Sequence, residues 1–143
     1  MPHAPGRKIL IVDDDVRLRE LAEFAARKSG LFTSVLLASN GVIALRLVHE
    51  LAGKRAPQLP DVVLTDLSMP EMDGLQLTRA LKTDPITHDL PIFMFSSSGR
   101  PNDRELALAA GCREFFEKPL TIDGLAAIMQ TMAGATFMAG HFS

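Results

Sequence analysis

The chain alternates between two hydrophobic periods, and this alternation restricts its fold more than any other feature of the sequence. Residues 9–12 form a continuous, β-branched apolar run, as expected of a strand buried on both faces. The next apolar residues, Leu18, Leu21, Ala22 and Ala25, fall on one face of a helix. The same succession occurs five times, which predicts a parallel sheet with helices on both faces, because parallel strands need a helical crossover.

The five units favour one topology. Strands are predicted at residues 9–12, 34–37, 61–65, 92–95 and 113–116, and each is followed by a segment of helical period. Right-handed crossovers then favour a flavodoxin-like (βα)5 doubly wound sheet with strand order 2-1-3-4-5. We expect Asp15 to cap the first helix and Gly30 to end it. One domain over residues 7–134 is predicted, between a tail at 1–6 and a frayed tail at 135–143 in which Phe137, Met138 and Phe142 could still dock.

The composition excludes several classes of protein. Among 143 residues, 15 Lys and Arg face 17 Asp and Glu, so the net charge of −2 lacks the basic excess of a nucleic-acid-binding protein. The single cysteine, Cys112, rules out an internal disulfide and is expected to be a small buried thiol. The four histidines show no metal-ligand spacing. No apolar run reaches the ~18–20 residues of a membrane span, and no signal peptide is evident, so a cytoplasmic protein without membrane contact is expected.

Polar side chains follow the predicted strands where their carboxyl ends should meet at one rim of the sheet. Asp13, Asp14 and Asp15 follow the first strand and Asp66 the third. Two carboxylates ~4 Å apart repel by about 4 kcal/mol at an effective dielectric of ~20, so such a cluster needs a counter-ion. We therefore expect Asp13, Asp14 and Asp66 to bind a divalent cation, of which Mg²⁺ suits carboxylates, waters and a phosphate.

Two further residues at this rim indicate phosphoryl transfer. Ser96 follows the fourth strand, and Lys118 follows the fifth strand immediately before Pro119. A metal, a lysine and a hydroxyl around one carboxylate can neutralise the oxygens of a transferring phosphoryl group. Carboxylates also accept phosphoryl groups as covalent nucleophiles, so the central Asp66 is the predicted nucleophile.

With these residues in order, the chain resembles the response regulator receiver domain over about residues 7–134. The acidic pair matches as Asp13-Asp14, and the phospho-acceptor matches as Asp66 in the segment Leu-Thr-Asp-Leu-Ser-Met-Pro-Glu-Met-Asp-Gly. Ser96 fits the family's Ser/Thr position, Phe115 its aromatic switch, and Lys118 with Pro119 its Lys-Pro pair.

The resemblance implies a role for each residue. Asp14, Asp66 and the backbone carbonyl of Ser68 would bind Mg²⁺ (or Mn²⁺), with Asp13 acting through water. Asp66 would accept phosphate from a sensor histidine kinase or a histidine phosphotransfer protein, and the chain would catalyse its own aspartyl phosphorylation and dephosphorylation.

The remaining implied roles concern the phosphate and the response to it. Ser96, Ser97 and Lys118 would bind the phosphate, with Ser68 and Ser98 flanking it. The Lys-Pro peptide is commonly cis in the family, so the Lys118–Pro119 peptide is expected to be cis. Ser96 and Phe115 would form a switch whose changed surface, between Asn102 and Thr131, contacts a downstream protein. Phe115 has no hydroxyl group, so its part in the switch would rest on ring packing.

Several alternatives stay open or are disfavoured. A receiver-like interaction module that works without phosphorylation is the main alternative, and the full set of site residues argues against it. A flavin binder would need a loop of amide donors where the three aspartates stand. A dehalogenase-type enzyme would want an aspartate at Ser68. Phe115 could be a plain core aromatic, and the basic face of the first helix, which includes Arg17 and Arg19, is either solvated or a docking face for the kinase.

Overall fold

The computed structural model describes residues 7–54, 58–97 and 100–138, with only the backbone of Met138. The tail at 1–6, Phe142 and Ser98, on which some expectations fall, lie outside these residues. The strands are β1 (Lys8–Val12), β2 (Ser34–Ala38), β3 (Val62–Asp66), β4 (Ile92–Ser96) and β5 (Glu114–Glu117). The α-helices are α1 (Val16–Ser29), α2 (Gly41–Ala52), α3 (Gly74–Thr83), α4 (Pro101–Ala110) and α5 (Ile122–Ala133).

The strands form one parallel sheet in the order β2-β1-β3-β4-β5, which confirms the predicted topology. The strand order reverses between β1 and β3, the place where open α/β sheets bind ligands beyond their carboxyl ends. The register pairs Val12 with Thr65, Asp66 with Phe95 and Ser96 with Glu117. Consequently, the ends of β1, β3, β4 and β5 lie side by side.

The two faces of the sheet carry separate hydrophobic clusters. Alternate residues of β1, such as Ile9 and Ile11, pack with α1 and α5, whereas Leu10 and Val12 pack with α2 and α3. The central strands β3 and β4 are buried along their whole length. Burial on both faces explains why these strands read as continuous apolar runs instead of alternating ones.

The ends of α1 confirm two predictions from the sequence. The Asp15 side chain accepts hydrogen bonds from the backbone N–H groups of Arg17 and Leu18, and Gly30 adopts a left-handed conformation with φ 72° after the last turn. The Asp15 cap satisfies backbone donors that have no partner within the helix, so Asp15 has a structural task apart from the other two aspartates. Cys112 is buried as expected, 3.5 Å from the Thr78 hydroxyl.

Two expectations are wrong in the structure. Residues 135–138, in the tail predicted to fray, belong to a π-helical segment, Gly134–Met138, that follows α5. Phe137 of this segment packs edge-on against Phe32 with ring centroids 6.2 Å apart, and the Arg7 guanidinium lies 4.2 Å from the Phe137 centroid. Docking onto distant residues leaves no local periodicity to detect. The Lys118–Pro119 peptide, expected to be cis, is trans, as is every other peptide among the described residues, in keeping with the modest trans preference of X–Pro bonds.

The helices that the structure describes do not have the properties of a membrane span. None of those in the described part of the chain combines the length and the apolar character that crossing a bilayer needs.

Candidate functional site

Three carboxylates meet at the carboxyl edge of the sheet. Asp13 directly follows β1, Asp14 comes next, and Asp66 is the last residue of β3. Each offers one oxygen, and the three oxygens lie within 4.8 Å of one another. Asp13 and Asp66 are buried and Asp14 is exposed. The convergence predicted from strand ends is therefore present, with an entrance to solvent on the Asp14 side.

Lys118 supplies the positive charge of this cluster. Its Nζ lies 2.8 Å from Asp13 Oδ2 and 3.1 Å from Asp66 Oδ2. The backbone N–H of Lys118 donates to the Ser96 carbonyl at 2.8 Å, and its ammonium lies 5.1 Å from the centroid of the Phe95 ring. The pairing of β5 with β4 thus places Lys118, which directly follows the edge strand β5, beside the central carboxylates.

One ammonium does not fully satisfy these buried oxygens. Asp13 Oδ1 accepts a hydrogen bond from the backbone N–H of Asp15 at 2.8 Å. Asp13 Oδ2 is fully buried, and its one partner among the described residues is the Lys118 ammonium, in an ion pair whose direction does not meet the geometry of a hydrogen bond. The ion pair still stabilises the Asp13 charge, because the attraction of an ammonium at 2.8 Å does not depend on its orientation. An incompletely satisfied carboxylate oxygen beside two further carboxylates is the donor set that suits a hard divalent cation.

The electrostatics of Asp66 and Lys118 reflect this crowding. Burial, followed by the negative charge of Asp13, raises the pKa of Asp66 from 3.8 to about 6, although Lys118 acts in the opposite direction. Burial by itself lowers the pKa of Lys118, but the nearby negative charges of Asp13 and Asp66 outweigh it, so the net shift is upward. Lys118 therefore stays charged at neutral pH, while the Asp66 carboxylate is a destabilised anion that gains from added positive charge.

The backbone behind Asp66 leaves no room for a side chain. A Cβ atom on Gly74, the first residue of α3, would overlap the Asp66 carbonyl oxygen and crowd Leu67. The N–H of Gly74 donates to the Leu67 carbonyl at 2.9 Å, and the Asp73 side chain caps α3 in a reciprocal pair with Gln76. This junction fixes the turn that contains Ser68 against the end of β3.

The other predicted residues lie at or near the same edge. Ser96 is buried at the end of β4, next to Phe95, the strand partner of Asp66, whereas Ser97 and Ser68 are exposed. Phe115 is partly buried in β5 opposite Met94. Its ring packs against the hydrophobic cluster on the face of the sheet covered by α2 and α3, which also includes Ala107 of α4. The structure thus brings the residues predicted to bind phosphate, Ser96, Ser97 and Lys118, to one edge of the sheet and places Phe115 behind them.

One contact was not singled out by the sequence. The Arg19 guanidinium donates a hydrogen bond to the Asp13 backbone carbonyl at 2.7 Å, so this arginine belongs to the surroundings of the acidic cluster. Its position four residues after the cap Asp15 is the available signal, because it lies on the same helix face one turn later and helical side chains lean towards the N-terminus.

Comparison with known proteins identifies this arrangement. The family model described as the response regulator receiver domain matches residues 9–130. The chain belongs to this family. It is similar to the response regulator MprA of Mycobacterium sp. (strain KMS), with 34% identity over 129 residues, which cover 90% of this chain and 51% of MprA. The chain therefore spans about half the length of this relative.

Solved structures agree on the fold. A putative response regulator from Chloroflexus aurantiacus is 27% identical with a TM-score of 0.74, and the match covers 89% of this chain and 97% of that one. The chemotaxis response regulator CheY4 of Vibrio cholerae also has a TM-score of 0.74, at 24% identity, with coverage of 89% and 98%.

Membership of the family establishes the general role of the chain. It is a receiver domain of two-component response regulators, which signal through phosphorylation. Receiver domains bind a divalent metal at an acidic pocket and interact with histidine kinases or phosphotransfer proteins and with downstream targets. The cluster of Asp13, Asp14 and Asp66 is an acidic pocket of this kind.

Proposed function

We propose that this receiver domain accepts a phosphoryl group on Asp66 in a Mg²⁺-dependent reaction. The observation that carries the proposal is the position of Asp66: it ends a fully buried central strand, 3.1 Å from the Lys118 ammonium and within 4.8 Å of two further carboxylates. A carboxylate oxygen of Asp66 attacks the phosphorus atom of a phosphohistidine on the donor protein. The phosphorus–nitrogen bond breaks, and the histidine nitrogen keeps the electron pair. Attack by water later releases inorganic phosphate and restores the carboxylate, so the domain catalyses both its phosphorylation and its dephosphorylation.

The residues divide the work between the metal and the phosphoryl oxygens. Asp14, Asp66 and the Ser68 carbonyl would hold Mg²⁺ (or Mn²⁺), with Asp13 acting through water. The metal supplies positive charge for the phosphoryl oxygens when bound. Lys118, held between two carboxylates, supplies a second positive charge, and Ser96 and Ser97 donate hydroxyl hydrogen bonds to the phosphate.

We assign the phosphoryl donor to a sensor histidine kinase or a histidine phosphotransfer protein, and the response to the surface between Asn102 and Thr131. Arg104 of α4 pairs with Glu114 of β5 and donates to the Phe115 carbonyl at 3.2 Å, so α4 and β5 are joined next to the partly buried Phe115 ring. In the proposed switch, Ser96 moves towards the phosphate and the Phe115 ring turns inward behind it. The cytoplasmic location expected from the sequence stays a prediction.

Phosphorylation with a small phosphodonor tests the acceptor. Intact-mass measurement of the parent chain with acetyl phosphate and Mg²⁺ should show one added phosphoryl group, and chelation of the metal should remove the signal. Asp66→Asn should not be labelled. Asp15→Asn is the matched control, because it removes a carboxylate from the same loop while an asparagine oxygen can still cap α1.

The results separate the proposal from its main alternative. Labelling of Asp66→Asn at the parent level would show that the acceptor is another residue. An unlabelled parent that remains folded would instead favour a receiver-like module that acts without phosphorylation. Loss of labelling in Asp15→Asn as well as in Asp66→Asn would contradict the separate roles given to these two aspartates.

A further inference from the structure

Arg19 reaches back from the first turn of α1 to the loop that carries the acidic cluster. Its Nη1 donates a 2.7 Å hydrogen bond to the Asp13 carbonyl oxygen. Arg19 is partly buried, whereas Arg17, two residues earlier, is exposed. Within the described ranges, the Arg17 side chain makes no hydrogen bond or ion pair. The two arginines therefore share a helix and a charge, and differ in this contact and in the burial that comes with it.

The bond acts on the peptide group that joins Asp13 to Asp14. The Asp13 N–H is already bonded to the Ala38 carbonyl at 3.1 Å, and the Asp15 N–H to Asp13 Oδ1 at 2.8 Å. These bonds hold the two ends of the loop, but neither restrains the Asp13 carbonyl. The bond from Arg19 does so, and it is charge-assisted, which makes it stronger than a neutral hydrogen bond.

Asp14 depends on this restraint for its direction. Its side chain is exposed and makes no hydrogen bond or ion pair with the described residues, so its place in the cluster depends on where the backbone puts its Cβ. An uncompensated change in the backbone angles beside the Asp13–Asp14 peptide group would move the Asp14 Cβ, and the carboxylate with it, away from the cluster. The group that fixes this peptide therefore fixes the distance between Asp14 and its neighbours.

We propose that Arg19 is a positioning residue for the divalent cation, because it holds the Asp13–Asp14 peptide group and so directs the Asp14 carboxylate to the cluster. This inference rests on the metal site of the proposed function. Positioning and simple electrostatics predict opposite signs. A guanidinium beside three carboxylates repels an incoming cation, so loss of its charge alone would tighten metal binding. Loss of the positioning bond would weaken it.

Titration calorimetry with Mg²⁺ on the full chain separates the two effects. Removal of a partner that orients a metal ligand typically costs ~10–100-fold in affinity, so Arg19→Met should weaken Mg²⁺ binding about tenfold. Arg17→Met removes the same charge from the same helix and should change the dissociation constant less than about twofold. Arg19→Lys keeps the charge and a donor, and should recover part of the loss. Far-UV circular dichroism establishes that each variant is folded under the titration conditions.

Each outcome decides the inference. A tenfold loss in Arg19→Met with a near-parental Arg17→Met supports positioning, since a role confined to fold stability would not change the affinity of the folded chain. Equal or tighter binding by Arg19→Met overturns the inference and leaves the metal site intact. Equal weakening in both methionine variants also overturns it. A parent chain that binds neither Mg²⁺ nor Mn²⁺ would refute the metal site and the inference together.

Discussion

Replacement of Asp66 by asparagine should make the metal-free protein more stable, although it removes the proposed acceptor. Burial and the neighbouring Asp13 raise the pKa of Asp66 from 3.8 to about 6 in the folded chain. Below pH ~4 the carboxyl group is protonated in both states and contributes no difference. As the pH rises from about 4 to about 6, the carboxyl group of the unfolded chain loses its proton first, which favours unfolding. The full loss of folding stability is present above pH ~6.

The size of this effect follows from the shift. Each pKa unit corresponds to 1.36 kcal/mol, so a shift of about two units destabilises the folded chain by roughly 3 kcal/mol at neutral pH. Asp66 is only 5% exposed, so solvent screening reduces this figure little. An asparagine amide oxygen can still accept a hydrogen bond from Lys118, although a weaker one than the carboxylate. We therefore expect Asp66→Asn to gain about 1–3 kcal/mol in free energy of unfolding at pH ~7.

Urea unfolding in the presence of a chelator measures this gain. Far-UV circular dichroism is the suitable signal, because the chain has no tryptophan or tyrosine. The parent should lose stability between about pH 4 and 6 relative to Asp66→Asn, and the two curves should converge at the acid end. Asp14→Asn is the control: it removes an exposed carboxylate from the same cluster and should gain much less. Equal stability of parent and Asp66→Asn at pH ~7, or a difference independent of pH, would refute the reasoning.

Three further predictions concern the surroundings of the site and the chain end. Gly74→Ala should lose about 1–3 kcal/mol in urea unfolding, because its Cβ must displace the Asp66 carbonyl; parental stability would contradict the close approach. Asp15→Ala should lose about 1 kcal/mol by the same measurement while Asp15→Asn stays near the parent, and an equal loss in both would argue against the capping role. Phe137→Ala should lower the melting temperature by about 2–4 °C, and an unchanged value would mean that the contact with Phe32 contributes nothing to stability.

The sequence by itself determined the topology and the edge at which the site lies. Buried parallel strands such as β3 leave a continuous apolar run, and the residue that ends each run must stand at the carboxyl edge of the sheet. Asp13, Asp66, Ser96 and Lys118 could therefore be placed together from the sequence. The caps of α1 were also predictable, because a capping side chain bonds to the backbone within its own turn.

Tertiary structure alone decided which groups contact one another within that edge. The two ion pairs of Lys118 and the bond from Arg19 to the Asp13 carbonyl depend on side-chain directions. The hydrophobic periods of helices and strands do not predict those directions. The docking of Phe137 on Phe32 joins residues far apart in the chain, so no local sequence pattern predicts this contact. Periodicity reports which face a residue occupies, because burial is a property of the face. Contacts across an edge depend on how separate elements pack, and only the folded chain brings those elements together.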